Sequence, residues 1–175
     1  MTRNELFDYA YLRYKISAEN RVYDYIYDGD EIKDRVIKSE TLSDFDKNDK
    51  LVRREKNTYD TSGQITDKVL LQRIFDEDGN LTSQSTDTTK YELGEIVELI
   101  ADYSEFTYDN DMSYVETNTI EYFEGKTKYR QDDIVKNYDK NGNVISGTKT
   151  VNDYKNSTKT NYTYDTSIQD WVENE

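Results

Sequence analysis

From residue 21 onward, apolar and aromatic side chains recur with period two. Val22-Tyr23-Asp24-Tyr25-Ile26-Tyr27 strings together β-favouring residues and leads into the turn signal Asp28-Gly29-Asp30, the pattern of a strand entering a hairpin. The stretch before it follows helical spacing instead. Thr2-Arg3-Asn4-Glu5 has the form of a capping box, and Leu6, Tyr9, Ala10 and Ile16 follow, which predicts a helix over 2–17.

One motif then recurs: an aromatic, an aspartate, two turn residues, Gly or Asp, a polar residue and an aliphatic. It reads Phe45-Asp46-Lys47-Asn48-Asp49-Lys50-Leu51, Tyr59-Asp60-Thr61-Ser62-Gly63-Gln64-Ile65, Phe75-Asp76-Glu77-Asp78-Gly79-Asn80-Leu81 and Tyr138-Asp139-Lys140-Asn141-Gly142-Asn143-Val144, with weaker copies at Tyr108-Asp109 and Tyr164-Asp165. Each part has a physical task. The aromatic closes one strand, the aspartate accepts hydrogen bonds from turn amides, glycine takes the positive-φ position, and the aliphatic opens the next strand. Copies 14 and 16 residues apart leave room for strands of about ten residues, the spacing of an up-and-down meander.

These segments resemble the YD repeats of Rhs-type bacterial proteins, whose units contain a similar Tyr-Asp-x-x-Gly-Asn-Leu stretch. The resemblance covers the turn motif and implies hairpins in the style of bacterial or phage proteins. It implies nothing about activity.

Residues 90–103 admit two readings. After a second capping box, Thr89-Lys90-Tyr91-Glu92, the apolar Leu93, Ile96, Val97 and Ile100 fall at i, i+3, i+4 and i+7, which predicts an amphipathic helix. Val97, Leu99, Ala101 and Tyr103 also alternate with Glu98 and Asp102, which is the rival strand pattern. The helix fits better at this stage. Strand patterns resume at Tyr103 to Tyr108, Tyr114 to Phe123, Thr127 to Tyr138, and near 143–153 and 158–164.

The expected fold is therefore α+β and mainly β: an antiparallel meander of about 8–10 strands in one domain over 1–175. Its parts are helix 2–17, hairpins over 21–88, an acidic helix over 90–103, hairpins over 105–165 and a tail over 166–175. Trp171, the only tryptophan, is expected to anchor that tail against the sheet. Polar residues on both faces of the strand around Thr148, Lys149, Thr150, Asn152 and Asp153 favour a single-layer or strongly curled sheet, whose open edges invite homodimerisation.

Composition narrows the function. Hydrophobic residues are 34% of the chain and 17 of them are tyrosines, so aliphatic burial is thin and tyrosine rings cover surface. The chain has no cysteine and no histidine. That removes disulfides, thiolate metal sites, Ser-His and Cys-His nucleophiles and the commonest transition-metal ligand. With 37 acids, a pair such as Asp132 and Asp133 is surface charge rather than an acid/base couple. The Asp76–Asn80 and Asp139–Asn143 segments lack the complete ligand series of a calcium loop and read as turns. No enzyme activity and no cofactor are expected. The polar N-terminus and the lack of a long apolar run suggest a cytoplasmic protein without a membrane segment.

Charge is uneven along the chain. Residues 1–60 carry −2, residues 61–125 carry −12 and residues 126–175 carry 0, within a total of −14. Residues 91–125 contain ten carboxylates and no lysine or arginine, the nearest bases being Lys90 and Lys126. Regularly spaced carboxylates can imitate a phosphate backbone and occupy a cationic groove, with tyrosines adding rigid contact area. Charge and size are similar to those of small acidic inhibitors such as phage anti-restriction and anti-CRISPR proteins and toxin immunity proteins. The sequence thus predicts a non-enzymatic inhibitor that binds a basic protein, a nuclease or other nucleic-acid enzyme, and makes no direct contact with nucleic acid. The candidate site is Glu92, Glu95, Glu98, Asp102, Glu105, Asp109, Asp111 and Glu116. The alternative is an assembly module that self-associates through sheet edges and tyrosines.

Overall fold

A computed structural model describes residues 18–28 and 30–174. Eleven strands follow one another in chain order: β1 (Ala18–Asp28), β2 (Glu31–Phe45), β3 (Leu51–Tyr59), β4 (Ile65–Phe75), β5 (Leu81–Glu92), β6 (Glu95–Tyr108), β7 (Tyr114–Glu124), β8 (Thr127–Tyr138), β9 (Val144–Asp153), β10 (Thr158–Asp165) and β11 (Asp170–Glu173). Sequence order is also spatial order, so the sheet is a meander without crossovers. Every recorded strand pair is antiparallel.

The described residues contain no helix, which corrects the α+β expectation to all-β. The helix expected over 2–17 lies outside the described residues. The helix expected over 90–103 is instead the end of β5, a tight turn at Leu93-Gly94 and the first part of β6. Leu93, which completed the helical spacing, sits in the turn at φ 51° and Gly94 at 82°. Val97, Leu99, Ala101 and Tyr103 alternate along a strand, as the rival pattern had it. The tail expected from 166 contains β11, and Trp171 packs edge-on against Tyr164 of β10, with ring centroids 5.4 Å apart. Gly147 makes room for that pair: a Cβ there would stand 3.1 Å from the indole and 3.0 Å from the Val135 carbonyl oxygen.

The turn motif does what its residue types dictate. Asp46, Asp60, Asp76 and Asp139 each accept backbone N–H bonds at 2.7–2.9 Å on one carboxylate oxygen, from Lys50, Gln64, Asn80 and Asn143 respectively. The fifth residue is left-handed in the four stronger copies: φ is 63° at Asp49, 81° at Gly63, 88° at Gly79 and 83° at Gly142. The copy at Tyr108-Asp109 proves complete as well. The backbone bonds between Asp109 and Ser113 and between Met112 and Asp109 repeat the pattern, with Met112 at φ 68° in the glycine position.

Two units make up the described strands, one of residues 18–73 and 87–97, the other of 74–86 and 98–174. No hydrophobic side chain among the described residues is buried, whereas Ser43, Asn57, Thr89, Ser104, Asn118 and Asp132 are. Polar groups withdrawn from water are usually hydrogen-bonded; the Asn57 amide donates to Glu55 at 3.2 Å, while its side-chain carbonyl oxygen is buried without a partner. In the first unit Arg21, Glu40, Asn57 and Lys68 stand opposite one another across β1 to β4. Arg21 donates to Glu40 at 2.8 Å, and Lys68 pairs with Glu55 at 3.0 Å.

Candidate partner-binding surface

In the second unit, strand register assigns each side chain to a face. Ser104 of β6 lies opposite Asn118 of β7, which lies opposite Ile134 of β8, which lies opposite Lys149 of β9. That face carries Ser104, Asn118, Asp132 and Gly147, all buried. The opposite face exposes Thr117, Thr148, Asn161 and Thr163.

The eight candidate acids do not form one patch. Glu98 and Asp102 share a face of β6, and alternation puts Glu105 on the other. Asp102 accepts from the Asn118 amide, which also donates to Ser104 Oγ at 2.8 Å. Ser104 Oγ donates to Glu116 Oε1 at 3.1 Å, and the Tyr138 hydroxyl donates to Glu116 Oε2 at 2.6 Å. Asp102 and Glu116 are thus joined in one internal network and are half-buried. Glu98 stands opposite Glu124, which is paired with Lys155. Asp109 and Asp111 hold the β6–β7 turn: Ser113 donates its amide to Asp111 at 3.1 Å and its hydroxyl to Asp109 at 3.3 Å. Bonds from Ser113 also hold the Asp111 carboxyl below its ordinary pKa.

Five of the eight, Glu92, Glu95, Glu105, Asp109 and Asp111, are exposed. Glu92 and Glu95 flank the β5–β6 turn in the first unit. Glu105 accepts a 2.8 Å bond from the Tyr103 hydroxyl on the open face of the second unit, and this bond raises the Tyr103 pKa.

Two clusters escaped sequence reasoning. The first is an aromatic row behind the turns. Tyr114 stacks on Tyr138 with centroids 4.4 Å apart and an interplanar angle of 11°, and Tyr108 tilts against Tyr114 at 5.3 Å. The signal was present, because Tyr114 occupies the place where stronger motif copies have an aliphatic. The second is an ion cluster around Asp132, which is 1% exposed. Arg130 donates two bonds of 2.7 Å to it, and Lys149 approaches to 3.0 Å. Tyr122 lies 5.0 Å from the Arg130 guanidinium and Tyr162 lies 6.0 Å from the Lys149 ammonium. Burial pushes the Asp132 pKa upward, but the bonds from Arg130 and Lys149 outweigh it and hold the carboxyl below its usual range. Only the period-two alternation and strand register, together, could have found this group.

The neighbouring Asp133 faces the other way and accepts from Thr119, Gln131 and Asn152. Asp132 and Asp133 therefore share no cleft. Among the described residues, no group of three or more His, Cys, Asp or Glu is placed to hold a metal ion.

No protein-family model matches the chain, and no curated protein does. A Bacteroides fragilis protein of unknown function, solved at 1.90 Å resolution, is similar over 90% of each chain at 12% identity, with a TM-score of 0.18. A likeness that distant carries neither fold nor function to this chain.

Proposed function

We propose that this protein is a non-enzymatic acidic binding protein that inhibits a basic, nucleic-acid-handling partner protein. The observation that supports this reading is the exposure of Glu92, Glu95, Glu105, Asp109 and Asp111 within a 35-residue stretch that contains no lysine or arginine. The bases nearest in sequence, Lys90 and Lys126, lie just outside this stretch. Asp102 and Glu116 support the sheet rather than touch the partner.

The test is retention of proteins from a bacterial lysate on the immobilised chain at low and at moderate salt. A basic nucleic-acid enzyme held at low salt, released at moderate salt and inhibited by the free chain is the expected result. Retention of nothing, or retention unaffected by salt, contradicts the reading.

A second reading, self-assembly, rests on a different observation. The terminal hairpin of β1 and β2 exposes Val22, Tyr25, Ile26 and Ile32 at 46–59%, and a terminal strand with apolar side chains favours pairing with another chain. Size-exclusion chromatography separates the two, because an edge-paired oligomer is expected to persist as salt rises.

A further inference from the structure

The β5–β6 connection has only two residues, Leu93 and Gly94, between Glu92 and Glu95. Both have positive φ, 51° and 82°, as a type I′ hairpin loop requires. That geometry selects Asn-Gly, Asp-Gly or Gly-Gly, because a side chain branching near the backbone crowds the left-handed conformation. Leucine is a poor choice at this position for the fold. It is also 97% exposed, so its side chain buries nothing within the chain.

Two independent penalties therefore meet at one residue: a disfavoured backbone conformation and a fully hydrated isobutyl group. Asp49, Ser157 and Gln169, three of the other non-glycine residues with positive φ, are polar, and Met112, the remaining one, is 51% exposed. A residue that breaks a local rule without a compensating intramolecular contact points to function. Its surroundings suggest the kind of function. Ile96, three residues on, is 43% exposed, and Glu92 and Glu95, which flank the turn, are exposed.

We infer that Leu93 is the anchor of the binding surface: it inserts into an apolar pocket on a protein partner whose rim carries lysines or arginines opposite Glu92 and Glu95. This rests on the binding-protein reading above and adds what charge alone does not provide, a desolvated centre inside a charged rim. A tight two-residue turn holds the anchor at the tip of a hairpin, so little freedom is lost on binding.

Leu93→Asn tests the assignment, because it installs the Asn-Gly pair that the turn prefers. The basic protein retained by the wild-type chain is purified and titrated against wild type, Leu93→Asn, Leu93→Met and the double variant Glu92→Lys/Glu95→Lys. Thermal unfolding of each variant is followed in parallel. Leu93→Asn is expected to unfold at the same or a higher temperature and to bind at least tenfold more weakly, while Leu93→Met keeps most of the affinity. Wild-type affinity in Leu93→Asn together with lost binding in Glu92→Lys/Glu95→Lys overturns the anchor and leaves the acidic reading standing. Retention of no basic protein by the wild-type chain overturns both.

Discussion

Tyr138 on β8 donates its hydroxyl to Glu116 on β7 at 2.6 Å, and the other carboxylate oxygen of Glu116 is taken by Ser104 of β6. One carboxylate thus ties three consecutive strands on the face that buries Ser104, Asn118 and Asp132. Burial first, and then the bond to Glu116, raise the Tyr138 pKa above that of an ordinary phenol. A tyrosine whose folded pKa is raised stabilises the fold fully below its unfolded value of about 10, and that stability is lost as pH climbs toward the folded value. Tyr138→Phe is expected to lower stability by about 1–2 kcal/mol at pH 8. It is also expected to flatten the decline in stability above about pH 10. Urea unfolding at both pH values measures the difference.

The Asp132 cluster sets the acidic limit. Its carboxyl is held below the usual range, so its contribution is present above about pH 4 and disappears as pH falls through the depressed value. Asp132→Asn leaves Arg130 and Lys149 without their shared counter-charge. A loss of about 3 kcal/mol at neutral pH is expected, with a smaller difference from wild type at pH 3. Stability curves at the two pH values test this.

The turns yield a pair of opposite effects. Met112 occupies at φ 68° the position where Gly142 sits at 83°. Met112→Gly relieves the left-handed penalty but loosens the unfolded chain, for an expected net gain of about 0.5 kcal/mol. Gly142→Ala incurs the penalty without relief and is expected to cost about 1 kcal/mol. A space-filling explanation is ruled out in advance, since a Cβ at Gly142 meets nothing within 4 Å. Equal signs in chemical denaturation of the two variants contradict this account of the turns.

Much of the fold was legible because the turn chemistry is local. An aspartate with a left-handed residue three positions later announces each five-residue turn, and strands Thr127–Tyr138 and Tyr114–Glu124 end where the pattern breaks. The segment 90–103 misled because Leu93, Ile96, Val97 and Ile100 satisfy helical spacing only if Leu93 belongs to the element. It belongs to the turn, and Gly94 after it is a poor residue for a helix interior.

The candidate site was legible as charge but not as geometry. A helix over 90–103 would gather Glu92, Glu95, Glu98 and Asp102 on the side opposite Leu93, Ile96, Val97 and Ile100. A strand of period two sends Glu95 and Glu98 to opposite faces, and register joins Asp102 through Asn118 and Ser104 to Glu116. Such cross-strand partners lie 12–16 residues apart in sequence, a separation that local pattern does not encode. Leu93 was visible in the sequence, but its exposure and its φ were not.

The most direct measurement is the salt dependence of affinity between the chain and its purified basic partner, by calorimetry, for wild type and for Glu92→Lys/Glu95→Lys/Glu105→Lys. The expected result is wild-type affinity that falls steeply as salt rises, and a triple variant weakened by about tenfold or more that has lost most of that slope. Affinity and slope unchanged by the three reversals contradict the acidic-surface account.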